Sequence, residues 1–336
     1  MVFPNLPFRR HPSIAATEQA DAREPDSPRP PSLALALGGG AARGWSHIGV
    51  LRTLEAAGIR PDIIAGTSIG AVVGGCWAAG RLDDLEAWAR SLTRRRMFGV
   101  LDVSLAGAGL IGGGKLRTQL ESQLGETRIE DLAARFVAIS TEYGTGHEVW
   151  LGRGDLALAL RASYALPGVF EPVRVGGRWL MDGALVNPVP VSAARALGGR
   201  VVVAVGLQSE ISPHGAVIQT YEATEGDDAV AAGVTRARRR LRLRRNRPKE
   251  GAPPPAADRT PGAPGIARVM VQAYNITQDR ISRSRLAGDP PDVMIGPRLS
   301  GIGLFEFHRA DEAIRLGAEA AERSLDAIRD ALRAFA

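Results

Sequence analysis

The chain of 336 residues is 45% apolar and 23% charged, values that are ordinary for a soluble globular protein and sufficient for a large core. Its one cysteine, Cys76, excludes an internal disulfide, so the fold needs no oxidising compartment. The net charge of +6 is local, because nine of the 42 Lys and Arg residues lie in residues 235–249 and the rest of the chain is net negative.

Residues 1–32 are predicted to be a disordered leader. They are rich in Pro and polar residues and contain no apolar run of the length that a secretory signal needs, so the protein is expected to be cytoplasmic. The uncharged stretch 63–80 is long enough to suggest a transmembrane helix. Its small and polar residues keep its hydrophobicity low, which argues against a span.

Strand-like and helix-like segments alternate along most of the chain, which predicts an α/β fold with a mostly parallel central sheet and helices on both faces. The predicted strands are 33–37, 62–65, 135–140, 148–151, 201–205 and 292–295. The predicted helices are 45–57, 70–79, 82–92, 115–124 and 155–165, followed by one long helix over roughly 308–334.

Three consecutive glycines, Gly38, Gly39 and Gly40, follow the first predicted strand. A dinucleotide-binding loop is one interpretation, but neither register of G-x-G-x-x-G keeps all three glycines. An oxyanion hole requires backbone N–H groups turned toward one point, and this flexible run can supply them. Arg43 would either hold the loop in its conformation or form an ion pair with an anionic head group.

Residues 66–70 read GTSIG, the G-x-S-x-G pattern, between a predicted strand and a predicted helix. A sharp strand-to-helix turn lifts the Ser68 side chain out of the backbone, and Gly66 and Gly70 let strand and helix approach closely. The first helical N–H groups favour negative charge at the serine. The pattern predicts that Ser68 is a nucleophile, the alternative being a glycine-rich packing turn.

Asp182 ends an apolar run and precedes Gly183, a pattern that by itself is typical of a turn. A serine nucleophile needs a base, however, and a carboxylate within hydrogen-bond distance can accept the hydroxyl proton. An aspartate of ordinary pKa, about 4, is a weak base at neutral pH, and burial near the serine would raise that pKa. The predicted substrates are therefore esters or thioesters rather than amides.

His308 is the rival base, because Ser68, Asp182 and His308 follow the chain order of an α/β-hydrolase triad. Its position at the entry to the last predicted helix favours the arrangement without histidine. His47, after the glycine loop, is predicted to be packed in the core. No His or Cys pair has metal-ligand spacing, so neither a metal nor a cofactor is predicted.

Residues 212–265 are predicted to be a flexible insertion within one domain spanning 33–336, because the proline-rich part cannot build a core and a sheet strand follows it. The arginines between Arg236 and Lys249 would bring the protein to an anionic membrane, at its inner face. A solvated tail is an equal alternative. Nucleic acid is not expected, because no aromatic residues accompany these charges.

Three motifs in this order, GGGAARG (38–44), GTSIG (66–70) and DGA (182–184), resemble those of the patatin-like phospholipase family. The likeness extends through RASYALPGVFEPV and FEFHRADEAI and covers most of residues 33–210 and 266–330. It is closest to the bacterial RssA-type branch of the neuropathy-target-esterase group. The resemblance implies a three-layer patatin-type fold.

The same resemblance implies a catalytic dyad, with Ser68 as nucleophile and Asp182 as base, and an oxyanion hole built from the N–H groups of Gly39, Gly40 and Ala41. The supporting motif positions are Gly38, Arg43, Gly44, Gly66, Gly70 and Gly183. Ala41 stands where many relatives carry glycine, and its methyl group narrows the conformational freedom of the loop.

The predicted function is hydrolysis of the acyl ester bond of a phospholipid or lysophospholipid through an acyl-serine intermediate. Two alternatives remain open at this point. One is a non-catalytic regulatory or adapter protein that uses the fold for binding, and the other is a soluble carboxylesterase with a Ser-Asp-His triad. The sequence does not indicate an oligomeric state.

Overall fold

The computed structural model describes residues 32–93, 114–207 and 266–335. The predicted leader, apart from its last residue, the predicted insertion at 212–265 and the basic segment between Arg236 and Lys249 all lie outside these residues. Within the described ranges, no helix is long and apolar enough to cross a bilayer.

One mixed sheet of eight strands runs through the described residues, paired in the order β5-β6-β3-β2-β1-β7-β8, with β4 also paired to β3. The strands are β1 (Leu33–Leu37), β2 (Ile63–Thr67), β3 (Arg135–Glu142), β4 (Glu148–Leu151), β5 (Val173–Val175), β6 (Arg178–Asp182), β7 (Val201–Val205) and β8 (Val293–Ile295). The pairs β3–β2, β2–β1, β1–β7 and β7–β8 are parallel. β4, β5 and β6 pair antiparallel.

The helices of the described ranges cover the sheet. They are α1 (Ser46–Ala56), α2 (Ile69–Ala78), α3 (Leu82–Ser91), α4 (Gly114–Leu124), α5 (Leu156–Ser163), α6 (Val191–Ala196), α7 (Ile266–Gly288), α8 (Ala310–Glu322) and α9 (Leu325–Ala334). Short 3-10 turns occupy Ala41–Trp45, Ile129–Asp131, Gly183–Leu185 and Phe307–Arg309.

β1 and β7 are apolar and buried at every position because both faces of the sheet are covered there. Leu35 and Leu37 of β1 belong to a core that includes residues of α1 and α2, whereas Ala34 and Ala36 belong to a second core that includes residues of α6. Successive strand residues point to opposite faces, so one strand contributes side chains to both cores. This confirms the predicted three-layer α/β fold with a mostly parallel sheet.

The structure differs from the sequence-based expectation in the C-terminal region. The single helix predicted over 308–334 is wrong: α8 ends at Glu322 and α9 begins at Leu325. At the break, the Ser324 hydroxyl donates to the carbonyl of Ala320, a bond to the preceding turn that is typical of helix interruptions. The hairpin β5–β6 and the helices α6 and α7 were not predicted.

One edge of β3 is shared by two strands. β4 pairs with residues 138–141 of β3, so β2 and β6, which pair with residues 135–139 and 140–142, must both use the other edge. β2 runs parallel to β3 and β6 runs antiparallel to it, so their carboxyl ends face each other. The last residue of β2, Thr67, and the last of β6, Asp182, therefore pair with the consecutive residues Ile139 and Ser140.

Helices α1 and α8 approach each other closely at two glycines. A Cβ atom added at Gly49 would overlap the carbonyl oxygen of Ile314, and one added at Gly317 would overlap the carbonyl oxygen of Ser46. Both obstacles are backbone atoms, which cannot move aside as the end of a side chain can. The two glycines therefore set the distance between these helices.

We expect Gly317→Ala to lower the free energy of unfolding by about 2 kcal/mol. Overpacking against backbone atoms falls at the upper end of its range, about 3 kcal/mol, and the gain in helix propensity offsets about 1 kcal/mol of it. Urea denaturation followed by circular dichroism measures the change. Gly144→Ala is the control, because a Cβ there meets nothing within 4 Å. Equal stability of the two variants would contradict the close approach of α1 and α8.

Candidate active site

Ser68 lies at a strained turn between β2 and α2. Its backbone angles are φ 56° and ψ −124°, a conformation that residues other than glycine rarely adopt. A Cβ at Gly66 would lie 2.5 Å from the Cα of Ala71, and one at Gly70 would overlap the carbonyl oxygen of Leu37. Both flanking glycines are therefore required by the close passage of strand, turn and helix, which leaves Ser68 as the side chain that projects from the turn.

The Ser68 hydroxyl donates a hydrogen bond of 2.6 Å to Oδ2 of Asp182. Both residues are buried. The other carboxylate oxygen, Oδ1, accepts from the N–H of Ala184 at 2.8 Å, so Asp182 also caps the 3-10 turn that follows it. The aspartate is thus a turn residue and a partner of the serine at once, and the serine and carboxylate meet directly with no imidazole between them.

Gly183 and the backbone of Asp182 fix this carboxylate against β3. A Cβ added at Gly183 would overlap the carbonyl oxygen of Ile139, so only glycine fits where the chain leaves the edge of β3. The N–H of Asp182 donates to the carbonyl of Ala165 at 2.9 Å, and its own carbonyl accepts from the hydroxyl of Thr141 at 2.8 Å.

Burial raises the pKa of Asp182 from its ordinary value to about 7, while hydrogen bonds from Ser68 and Ala184 act in the opposite direction. Desolvation is the larger effect because it disfavours the charged carboxylate. A pKa near 7 places the group close to the pH at which a general base is most effective. The environment therefore makes Asp182 a stronger base than an exposed aspartate.

The glycine loop lies beside Ser68, and two of its N–H groups have partners. The N–H of Gly38 donates to the carbonyl of Val205 at 3.0 Å, and that of Gly39 donates to the carbonyl of Pro188 at 2.9 Å. Among the described residues, no acceptor takes the N–H of Gly40 or Ala41. The Gly39 amide is therefore already engaged, so Gly40 and Ala41 fit the predicted oxyanion-hole role better than Gly39 does, and that role stays a prediction.

The shape of this loop is held by His47 and Arg43. His47 is fully buried, and its Nε2 donates to the carbonyl of Gly38 at 2.8 Å, as its neutral form allows. Burial lowers the pKa of His47 to about 4, so the imidazole is neutral at physiological pH. Arg43 Nε donates to the carbonyl of Ile302 at 2.8 Å, and a Cβ at Gly44 would overlap the side chain of Ile69.

Ser163 supports the turn that carries Ser68, although sequence reasoning did not single it out. The N–H of Ser68 donates to Ser163 Oγ at 2.9 Å, and the Ser163 hydroxyl donates to the carbonyl of Ile139 at 2.6 Å. Ser163 ends the mostly apolar helix α5 and is fully buried. A buried serine hydroxyl needs a hydrogen-bond partner, which was the available signal.

A cavity opens onto Ser68 and Asp182, with an empty volume of about 900 Å³ that includes its opening to solvent. Its wall is mostly apolar and is completed by Gly40 and Ala41. The lining residues are Gly40, Ala41, Ser68, Ile69, Val72, Trp88, Leu92, Leu116, Tyr164, Leu166, Val169, Phe170, Asp182, Tyr274, Leu304, Phe305 and Phe307. Such a wall suits a hydrocarbon chain whose reactive end lies at the serine.

His308 lies in the 3-10 turn Phe307–Arg309 and is not among the described residues that line the cavity. In the ranges that the structure covers, no group of three or more His, Cys, Asp and Glu side chains is placed to hold a metal ion. The expectation that neither metal nor cofactor is required stays a prediction.

Comparisons with known proteins identify relatives of this chain. Residues 35–195, which include Ser68 and Asp182, match the family described as patatin-like phospholipase. An uncharacterised NTE family protein of Mycobacterium tuberculosis is 36% identical over 332 residues, which cover 88% of this chain and 92% of the relative. Human patatin-like phospholipase domain-containing protein 6 is 33% identical over 186 residues, covering 53% of this chain and 14% of that protein. The solved structure of VipD from Legionella pneumophila covers 89% of this chain and 67% of its own, with 14% identity and a TM-score of 0.41.

The raised pKa of Asp182 predicts a pH-dependent stability difference between the wild type and Asp182→Asn. The folded protein keeps a proton on Asp182 up to about pH 7, whereas the unfolded chain loses it near pH 4. Wild-type stability therefore falls relative to the variant as the pH rises through this window, by a few kcal/mol in total.

Urea denaturation of both proteins at pH 4 to 8 measures this difference, which should grow in favour of Asp182→Asn. Asp326→Asn is the control, because it replaces a carboxylate on the exposed face of α9. A gap between wild type and Asp182→Asn that stays constant across this range would show that burial does not raise the pKa of Asp182.

Proposed function

Because the chain belongs to the patatin-like phospholipase family, within its neuropathy-target-esterase group, we propose that it cleaves carboxylic ester bonds of phospholipids or lysophospholipids through Ser68 and Asp182. Family membership makes the protein a lipid hydrolase. The proposal adds the dyad and the class of ester. The observation that carries it is the direct hydrogen bond of 2.6 Å between the Ser68 hydroxyl and the Asp182 carboxylate.

In the first step, Ser68 Oγ attacks the ester carbonyl carbon while Asp182 takes the hydroxyl proton. The negative charge on the carbonyl oxygen is stabilised by the N–H groups of Gly40 and Ala41, together with the positive end of the α2 dipole. The C–O bond to the alcohol then breaks, and the alcohol leaves with the proton from Asp182. An acyl group remains on Ser68.

In the second step, water attacks the acyl-serine and gives a proton to Asp182. The bond between Ser68 Oγ and the acyl carbon breaks, the proton returns to Ser68, and the fatty acid is released. The apolar wall of the cavity supports an acyl chain as the group bound beside Ser68. Esters fit this mechanism better than amides, because a carboxylate base with a pKa near 7 gives limited assistance to a poor leaving group.

Two further expectations stay predictions. One is peripheral contact with an anionic membrane through the segment between Arg236 and Lys249, which lies outside the described residues. The other is a cytoplasmic location.

A fluorophosphonate probe and mass spectrometry of lipid products test the nucleophile. We expect the wild type to be labelled and to release fatty acid from phosphatidylcholine or lysophosphatidylcholine, and Ser68→Ala to lose labelling and at least about 1,000-fold in turnover. Ser122→Ala, on the exposed side of α4, is the matched control and should keep both activities. Labelling that persists in Ser68→Ala would assign the nucleophile to another residue.

The pKa of Asp182, near 7, predicts the pH profile. Asp182 must be ionised to accept the proton, so kcat/KM should rise about tenfold per pH unit below pH 7 and level off above it. Steady-state assays with a soluble ester between pH 5 and 9 measure the profile. His308→Gln should retain both the activity and the profile, and near-complete loss in that variant would instead support the Ser-Asp-His triad.

A further inference from the structure

Tyr274 lies on α7 and faces the same cavity as the dyad, although no motif pointed to it. Helix α7 contacts the turn Gly183–Leu185 that follows Asp182. The Tyr274 side chain lines the cavity together with Ser68, Asp182 and the loop residues Gly40 and Ala41. A phenolic hydroxyl is therefore present in a wall that is otherwise mostly apolar.

The hydroxyl of Tyr274 keeps its proton. Gln278, one helical turn further along α7 and almost fully buried, acts to lower the pKa of Tyr274, but burial is the larger effect. The phenol therefore remains a hydrogen-bond donor at neutral pH. Burial, reinforced by the negative charge of Asp182, holds the pKa of Tyr274 well above its ordinary value.

A serine–aspartate dyad has no group dedicated to stabilising the leaving-group oxygen, and a hydrogen-bond donor in the cavity wall would supply one. Asp182 receives the serine proton and must pass it to the leaving alcohol. An alkoxide is far more basic than a carboxylate, so negative charge develops on the leaving oxygen as the C–O bond breaks. The backbone amides of Gly40 and Ala41 stabilise the carbonyl oxygen and do not serve the leaving oxygen. Tyr274 lines the cavity together with Asp182, on a helix that contacts the turn following Asp182, and supplies a neutral donor for the leaving oxygen.

We propose that Tyr274 is a further catalytic residue, which donates a hydrogen bond from its hydroxyl to the leaving-group oxygen of the ester during acylation of Ser68. This inference rests on the proposed function. Ser68 Oγ forms the bond to the carbonyl carbon, the bond to the alcohol oxygen breaks, and the proton travels from Ser68 through Asp182 to that oxygen. Tyr274 keeps its own proton throughout and stabilises the charge that develops before the proton arrives.

The test compares two esters of the same acyl chain in the wild type and in Tyr274→Phe. Monooctanoylglycerol has a poor alkoxide leaving group, whereas p-nitrophenyl octanoate has a leaving group that departs without help. We expect Tyr274→Phe to lower kcat/KM for the glycerol ester by about tenfold or more and for the nitrophenyl ester by less than about twofold. The quantity kcat/KM reports acylation for both esters.

Tyr164→Phe is the matched control, because Tyr164 lines the same cavity and is buried, but the charges that act on its hydroxyl are those of Arg161, Glu121 and Arg117 rather than Asp182. It should change kcat/KM for the two esters by the same factor. Titration of Ser68 with a fluorophosphonate normalises each preparation to its content of folded, reactive enzyme.

An equal change for both esters in Tyr274→Phe, or no change for either, would overturn the role of Tyr274 and leave the dyad intact. If the wild type hydrolyses neither ester and Ser68 does not react with the fluorophosphonate, the proposed function fails and this inference fails with it. A ratio of the two kcat/KM values that shifts in Tyr274→Phe and not in Tyr164→Phe supports the donor role.

Discussion

The hydrogen bond between Ser68 and Asp182 depends on two strands that end face to face along one edge of β3. Thr67 and Asp182 pair with consecutive residues of β3, which fixes the separation of the serine turn and the carboxylate to within one strand position. A backbone ladder sets this distance more firmly than a loop could, because several hydrogen bonds on each strand would have to shift together. The chemistry of the site therefore rests on the register of β2 and β6 against β3.

Burial of this pair opposes folding but makes the carboxylate a stronger base. Desolvation raises the pKa of Asp182, and the charged form survives near neutral pH because Ser68 and Ala184 each donate a hydrogen bond to it. On the other side of the serine, Ala41 adopts φ 49°, where an alanine is strained and glycine is not. The fold thus holds unfavourable conformations and an unfavourable charge at the same place, as active sites commonly do.

The sequence contained the local features of the site and lacked the tertiary ones. Ser68, Gly66 and Gly70 follow from a short motif because strand, turn and helix are contiguous there. The engagement of the Gly39 amide could not be foreseen, since its acceptor, the carbonyl of Pro188, is distant in sequence. The hairpin β5–β6 lacks continuous apolar character because each of its strands carries an exposed arginine, Arg174 and Arg178. Helix α7 follows a proline-rich segment and carries many polar residues, so apolar residues do not recur along it at a clear helical spacing.

Exclusion of water from the cavity underlies both its affinity for an acyl chain and the raised pKa of Asp182. Exclusion of water by side chains such as Val72, Leu166 and Phe170 favours a hydrocarbon chain, and it also lowers the local dielectric constant around Ser68 and Asp182. Lower dielectric strengthens each of the few remaining dipoles and raises the pKa of the carboxylate. Recognition of the acyl chain and activation of the base are therefore coupled. A polar side chain introduced into the wall, even far from the serine, would weaken the binding of the chain and the basicity of Asp182 together.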